Sequence, residues 1–200
     1  AVYGEAYSQI IREKRDQAFN WDRSHPVYVA FDIGASGVHS DATSWIAFQY
    51  FNNKLFLIDC GEGHGRALPE YVDVLQGRPW FSQLAQIILP WDGAHHEVSI
   101  NTTPADMMRK RFPHVAVLAK GTNIWTVKGL PQTASADIIT MVQHVRLTLY
   151  NTYINGLMPS EVGKPTERPN CDYLLNCFEN YKYSYDNKLQ QWSPFPVHDK

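Results

Sequence analysis

The amino-acid sequence predicts an α/β domain, a mixed β-sheet with helices on both faces. Two observations predict it. Three β-rich segments follow one another closely after the first helix, and helix-like and strand-like segments alternate beyond them. The chain has 200 residues, enough for one such domain with a substantial core. With 44% hydrophobic and 13% aromatic residues, it has the composition of an ordinary globular protein and not of a disordered one.

The elements are legible in order. Residues 1–19 read as an amphipathic helix, with Tyr3, Tyr7, Ile10 and Ile11 on one stripe, and Ser24-His25-Pro26 breaks it. Val27 to Asp32 is a β-rich apolar run that ends on a carboxylate, followed by a loop from Gly34 to Asp41. Ser44 to Phe51 and Lys54 to Asp59 are two more strands, and Asn52-Asn53 between them has the chemistry of a tight hairpin turn. After Gly61, Gly63 and Gly65 comes a helix from about Leu68 to Leu75. A buried strand, Gln86 to Pro90, then leads into Trp91-Asp92. Thr103-Pro104 starts a helix that runs through Arg111, because proline fits a first helical turn. Val115 to Ala119 is a short apolar strand. Ala134 to Tyr150 is the longest helix, with Ile138, Ile139, Val142, Val145 and Leu149 as its buried stripe. Gly156 to Pro169 reads as an exposed loop, and a helix over Cys171 to Tyr181 and a polar strand near Tyr185 to Trp192 complete the chain. This order suits a ribonuclease H-like core, although many α/β folds would also fit it.

Composition removes several function classes. No apolar run approaches the roughly 18 residues that cross a bilayer, and no signal-peptide pattern opens the chain. Cys60, Cys171 and Cys177 are an odd set without a CxxC pair, so reduced thiols are expected in place of a disulfide framework or a zinc knuckle. The net charge of −2 gives no global nucleic-acid signal. A site that concentrates carboxylates around cations would offset basic residues elsewhere, so DNA is not excluded. The clusters Arg12/Lys14/Arg15 and Arg109/Lys110/Arg111 are candidate phosphate contacts or solvated helix faces, and Lys120 and Lys128 join the second cluster as candidate DNA contacts. The chain starts at Ala1 and stops after His198-Asp199-Lys200, and it is expected to be one domain of a longer protein.

The chemistry lies in the carboxylates. Phosphodiester cleavage with two metal ions needs carboxylates from separate strands that converge on ions roughly 3.5–4 Å apart. Magnesium suits such all-oxygen coordination. Asp32 ends the first strand and Asp92 ends the fourth. An aspartate after a run of apolar residues is costly to bury unpaired, so each needs a partner or an ion. Glu62 follows the third strand, in a loop that could bring its carboxylate toward Asp32 or leave it in solvent. Asp41 is read as pinning its loop. His64, His95, His96 and His198 are read as structural or supporting groups and not as zinc ligands, since no HExxH pattern is present.

Several segments, taken together, resemble the nuclease half of tailed-phage terminase large subunits, over essentially the whole chain. Tyr3-Gly4-Glu5-Ala6-Tyr7 and the basic helix after it resemble that family's entry segment. Phe31-Asp32-Ile33-Gly34 with Asp41 to Gln49 resembles its first hairpin. Leu57-Ile58-Asp59 through Glu62-Gly63, then Leu68-Pro69-Glu70-Tyr71, resembles its third strand and crossover helix. Leu89-Pro90-Trp91-Asp92-Gly93-Ala94 is similar to its "LPHDA" segment, with Trp91 where many members carry His. Arg146 and the tail from Tyr181 to Asp199 resemble "R…Y…YDxxxxxxxxxPxHD".

The resemblance implies a ribonuclease H-like, Mg²⁺- or Mn²⁺-dependent endonuclease that cuts concatemeric double-stranded DNA during headful genome packaging. It implies two ions, held by Asp32, Asp92 and Asp199, with Glu62 as the alternative third ligand. It implies an N-terminal packaging ATPase on the same polypeptide, a portal protein and a small terminase subunit as partners, no membrane, and a place in the host cytoplasm outside the mature virion. The family usually continues past the "HD" at His198-Asp199 into a further helix, so the extreme C-terminus is expected to lie beyond Lys200. The rival readings are a DNA- or protein-docking domain without turnover and a resolvase- or transposase-type nuclease on the same fold.

Overall fold

Asn52 and Asn53 both take left-handed backbone conformations, with φ of 51° and 58°. Asparagine tolerates that region better than other side-bearing residues, and two such residues in succession make the turn whose twist matches paired strands. In the computed structural model this turn joins β2 (Thr43–Phe51) to β3 (Lys54–Gly63). The described residues are 2–34, 42–95, 102–118, 138–164, 167–186 and 190–196. Asp41, His96, Lys120, Lys128, His198 and Asp199 lie outside them.

β1 (Val27–Asp32) pairs antiparallel with β2 and so completes the meander. β4 (Leu84–Leu89) lies parallel on β1, β5 (Val115–Val117) parallel on β4, and β6 (Thr152–Ile154) parallel on β3. The six-stranded order is β5-β4-β1-β2-β3-β6. Only β2 runs against the rest, so the C-terminal ends of the other strands open on one edge. A separate two-stranded sheet pairs β7 (Tyr183–Asp186) with β8 (Gln191–Pro196), where the sequence predicted one strand.

Helices cover both faces, as the sequence predicts. α2 (Glu70–Gln76) and α3 (Pro104–Arg109) place Tyr71, Val72, Leu75, Ala105 and Met108 in one core with Val27, Val29, Phe31, Ile87 and Leu89. On the opposite face, α1 (Gly4–Arg12), α4 (Ile138–Leu149) and α5 (Asp172–Asn180) contribute Ala6, Ile10, Leu149, Leu175 and Phe178. They pack against Phe48, Leu57, Ile88 and Ile154. In the stripe predicted for α4, Leu149 is buried, but Val145 is exposed.

The first helix is shorter than its periodicity suggests. Lys14 turns left-handed at φ 55° and stops the helix. Arg15 is then buried, and its Nη1 donates to the carbonyls of Leu149 and Thr152 at 2.8 and 2.5 Å. The Arg15 carbonyl accepts from the Ile154 N–H at 2.8 Å. The segment after α1 is therefore held by β6, a three-residue strand too short to carry a periodic signal. Gly156, just past β6, approaches this segment so closely that a Cβ there would lie 2.1 Å from the Asp16 carbonyl oxygen. Gly156→Ala is expected to cost about 2–3 kcal/mol of stability, since the obstacle is backbone and not a rotatable side chain. Urea unfolding measures it, and an unchanged midpoint would mean that the segment moves aside freely.

A second buried polar group braces β3. Asp59 is 2% exposed. Its Oδ2 accepts from Trp80 Nε1 at 2.9 Å and faces Arg78 Nε at 3.5 Å. Its Oδ1 accepts from the N–H groups of Cys60 and Asn170 at 3.1 and 3.3 Å. Burial pushes the Asp59 carboxyl above the usual carboxylate range, against the opposing pull of Arg78 and these donors. Arg78 also lies over the Trp45 ring at 5.5 Å.

Candidate metal and active site

β1 and β4 are adjacent and parallel, with Ala30 opposite Ile88, so their C-terminal ends lie side by side. Asp32 is the last residue of β1 and is exposed. The backbone beyond it is tied back by Gly34 N–H donating to Thr43 Oγ1 at 3.1 Å. Asp92 follows β4 in a single 3₁₀ turn over Trp91–Ala94. Extended Pro90 redirects the chain, and the turn closes through Gly93 N–H to the Pro90 carbonyl at 3.0 Å and His95 N–H to the Asp92 carbonyl at 2.8 Å. A Cβ on Gly93 would lie 2.9 Å from Leu89 Cβ, so only glycine lets the turn fold this tightly onto its strand. Trp91 and His95 stack edge to face at 4.4 Å over the same turn.

Asp92 Oδ1 is buried and has no hydrogen-bond partner. Such an atom costs about 1–3 kcal/mol, more if charged, unless a ligand, ion or water meets it. Oxygen donors at a rigid strand end fit a hard divalent cation. Among the described residues, no three His, Cys, Asp or Glu side chains converge into one ligand group. Asp32 and Asp92 could therefore supply only part of a donor set, and Asp199 lies outside the described residues.

Glu62 differs from its expected loop position. β3 continues through Gly63, and Glu62 pairs with Ser44, which in turn pairs with Asp32. Paired residues point to the same side of a sheet. Asp32, Ser44 and Glu62 thus form one row across three strands, on the face that carries α5. Two strand spacings separate the backbones of Asp32 and Glu62, roughly 10 Å. The strand end is fixed by the buried Tyr71, whose hydroxyl donates to the Gly63 carbonyl at 2.8 Å. The sequence signal that could have extended β3 is this aromatic anchor, but it acts across a turn and leaves no periodicity.

The Glu62 carboxylate near Tyr173, on the first turn of α5, pushes its phenol up to about 12, with some help from burial. Sequence reasoning missed Tyr173 because nothing in the helix pattern relates it to β3. Cys60 and Cys171 are hydrogen-bonded side chain to side chain nearby; the bond holds the Cys60 thiol below its ordinary value, and burial holds Cys171 well above it. All three cysteines are free thiols, as expected from their spacing.

Three of the candidate phosphate contacts, Arg15, Arg109 and Arg111, are engaged within the fold. Arg109 donates through Nε and Nη2 to the Val115 carbonyl at 3.3 and 3.1 Å, and through Nη1 to Asp106 at 2.9 Å. Arg111 pairs with Asp73 of α2, whereas Lys110 is exposed. Arg15 of the N-terminal cluster is buried. No helix among the described residues is long and apolar enough to cross a membrane.

The sheet order, the antiparallel meander and the acidic C-terminal edge define a ribonuclease H-like α/β domain. No protein-family model matches the chain, and no curated protein sequence matches it. Solved structures do. The chain is similar to the large terminase of a thermophilic bacteriophage, with a TM-score of 0.58 and 12% identity, over 99% of this chain and 41% of that one. A complex of the same phage protein with ATP-gamma-S gives a TM-score of 0.54 and 13% identity over 97% and 41%. The large terminase nuclease domain of P22 gives 0.52 and 9% identity, over 92% of this chain and 81% of that one. The chain spans about two fifths of the thermophilic phage protein and about four fifths of the P22 domain. It shares the fold of large-terminase nuclease domains.

Proposed function

We propose that this chain is the nuclease domain of a tailed-phage terminase large subunit, a metal-dependent endonuclease that cuts concatemeric double-stranded DNA during genome packaging. The observation that carries the reading is the buried, unpartnered Asp92 oxygen in the turn just after β4, the parallel neighbour of the strand that ends on Asp32. The shared fold with large terminases supports it. Asp32 and Asp92 would hold Mg²⁺ or Mn²⁺, two ions in all, and Asp199 or Glu62 would complete the set. When bound, such ions would activate an attacking water and stabilise the leaving 3′ oxygen. The protein's own part is to hold the carboxylates on rigid strand ends and to orient DNA through its phosphates, which carry no base information. Lys110 would serve that contact better than Arg109 and Arg111, which already bond within the fold, and Lys120 and Lys128 are further proposed contacts. A packaging ATPase on the same polypeptide, a portal protein and a small terminase subunit are the proposed partners, and the host cytoplasm is the proposed location.

Asp92→Asn tests the metal site directly. In Mn²⁺ titrations followed by calorimetry, the variant is expected to lose at least about tenfold in apparent affinity, the lower end of what disturbing a metal site costs. Without metal, its unfolding midpoint is expected to match or exceed the parent's, because a buried unpartnered charge has gone. Only the rise in midpoint on adding Mn²⁺ should vanish. An unchanged Mn²⁺ isotherm would refute the assignment.

A further inference from the structure

We infer that Arg66, in the loop between β3 and α2, is a phosphate contact for duplex DNA at the rim of the acidic edge. The inference rests on the function proposed above and adds a binding residue to it. The edge carries Asp32, Glu62 and Asp92. Carboxylates repel a polyanion, so DNA that approaches them needs cations close by. Asp32 ends β1, and Arg66 follows the end of β3 at Gly63. β1 and β3 flank β2, and both end on that edge. Their ends lie two strand spacings apart, roughly 10 Å. Along a duplex that span is about three nucleotide steps of one strand. A double helix with one phosphate at Asp32 therefore brings others near Arg66.

The loop that carries Arg66 is fixed at both ends. On the β3 side, the Tyr71 hydroxyl donates to the Gly63 carbonyl at 2.8 Å. On the α2 side, Leu68 is buried and the Glu70 N–H donates to the Ala67 carbonyl at 2.9 Å. Between these anchors Gly65 turns the chain at φ 65°, where a Cβ would meet nothing within 4 Å, so the backbone and not the space calls for glycine. The Arg66 side chain is exposed, and among the described residues no ion pair takes up its guanidinium. By contrast, Arg15, Arg78, Arg109, Arg111, Arg146 and Arg168 all bond inside the fold. Arg12 ends α1, and Arg23 precedes β1 on the side where that strand starts. Arg66 is thus the arginine that a short, anchored loop presents where the strands end. Its guanidinium stays charged and offers a planar fork of donors that matches phosphate oxygens.

The test is binding of a short fluorescein-labelled DNA duplex to the 200-residue chain, followed by anisotropy in EDTA over a range of salt, with thermal unfolding measured alongside. Each phosphate contact adds about 0.9 to the steepness of log affinity against log salt. Arg66→Ala is expected to make that slope shallower by about one with no change in midpoint, and Arg66→Lys is expected to keep the parent slope. The parent slope in Arg66→Ala, or a loss that Arg66→Lys shares, would overturn the contact. So would a parent chain that binds no duplex at low salt. Plasmid cleavage in Mg²⁺ tests the underlying function separately. If the parent cuts plasmid and Arg66→Ala keeps the parent slope, only the contact falls. If the slope drops as expected but the parent cuts no plasmid, the DNA contact stands and the nuclease reading falls.

Discussion

Asp32→Asn is expected to lower cleavage of supercoiled plasmid by on the order of a thousandfold, with the fold intact. The size follows from charge. A cation at a phosphodiester site contributes several kcal/mol of transition-state stabilisation, and each 1.36 kcal/mol is tenfold in rate. Asparagine has the shape of aspartate but lacks the charge that holds a cation against its neighbour. Asp32 is exposed at the end of its strand, so the substitution should leave stability within about 0.5 kcal/mol of the parent. Nicked and linear products, followed over time in Mg²⁺ and in Mn²⁺, give the rate. A variant that cuts at the parent's rate would remove Asp32 from the site, and with it the joint role of Asp32 and Asp92 in the proposed function.

Asp59→Ala is expected to cost about 2–3 kcal/mol of stability without touching the acidic edge. Breaking a buried ion pair costs about 3–5 kcal/mol when both partners are enclosed. Arg78 keeps 30% of its side chain exposed, so water recovers part of that cost. What water cannot reach is the Trp80 indole N–H, which loses its acceptor inside the core. The effect also depends on pH. Burial raises the folded-state value of Asp59 above its unfolded one, so the protonated group stabilises the fold fully below the unfolded value, near 3.9. That contribution fades as pH rises through the folded value. Because the alanine variant lacks it, the gap between parent and variant should widen from neutral pH toward pH of about 4. Urea midpoints at several pH values measure this, and a gap that narrows on acidification would show Arg78 outweighing burial.

Where local chemistry sets the backbone, the sequence was legible. Asn52-Asn53 announced its turn, Pro104 its helix start, and the runs ending at Asp32 and Leu89 announced the two central strands. What stayed hidden depends on partners distant in the chain. β6 is three residues long and exists because β3 offers an edge to it at Leu55, Phe56 and Leu57. The first helix looked longer because Arg15 continues a charged face, yet its guanidinium is drawn into the core by carbonyls of residues 149 and 152. Glu62 read as a loop residue because glycines flank it, and only the strand beside it makes Gly61 and Gly63 extended. For the same reason the Asp32–Ser44–Glu62 row could not be seen in advance: a one-residue slip in either pairing would have turned one of them to the other face.

The strand order also dictates when the site comes into being. A hairpin closes in about 1–10 μs, and the cost of closing a loop rises with its length. The β2–β3 hairpin therefore sets down Ser44 and Glu62 together, and β1 brings Asp32 onto it from the adjoining segment. Asp92 comes later, since β4 reaches β1 only after the hairpin and α2 have been traversed. A chain emerging from the ribosome, or one broken before β4, carries Asp32 and Glu62 on a partial sheet with no Asp92 opposite. Under the proposed function, such unfinished molecules have no complete cation trap. Under that function, the topology withholds Asp92 from Asp32 until β4 and the turn after it have been made and folded onto β1.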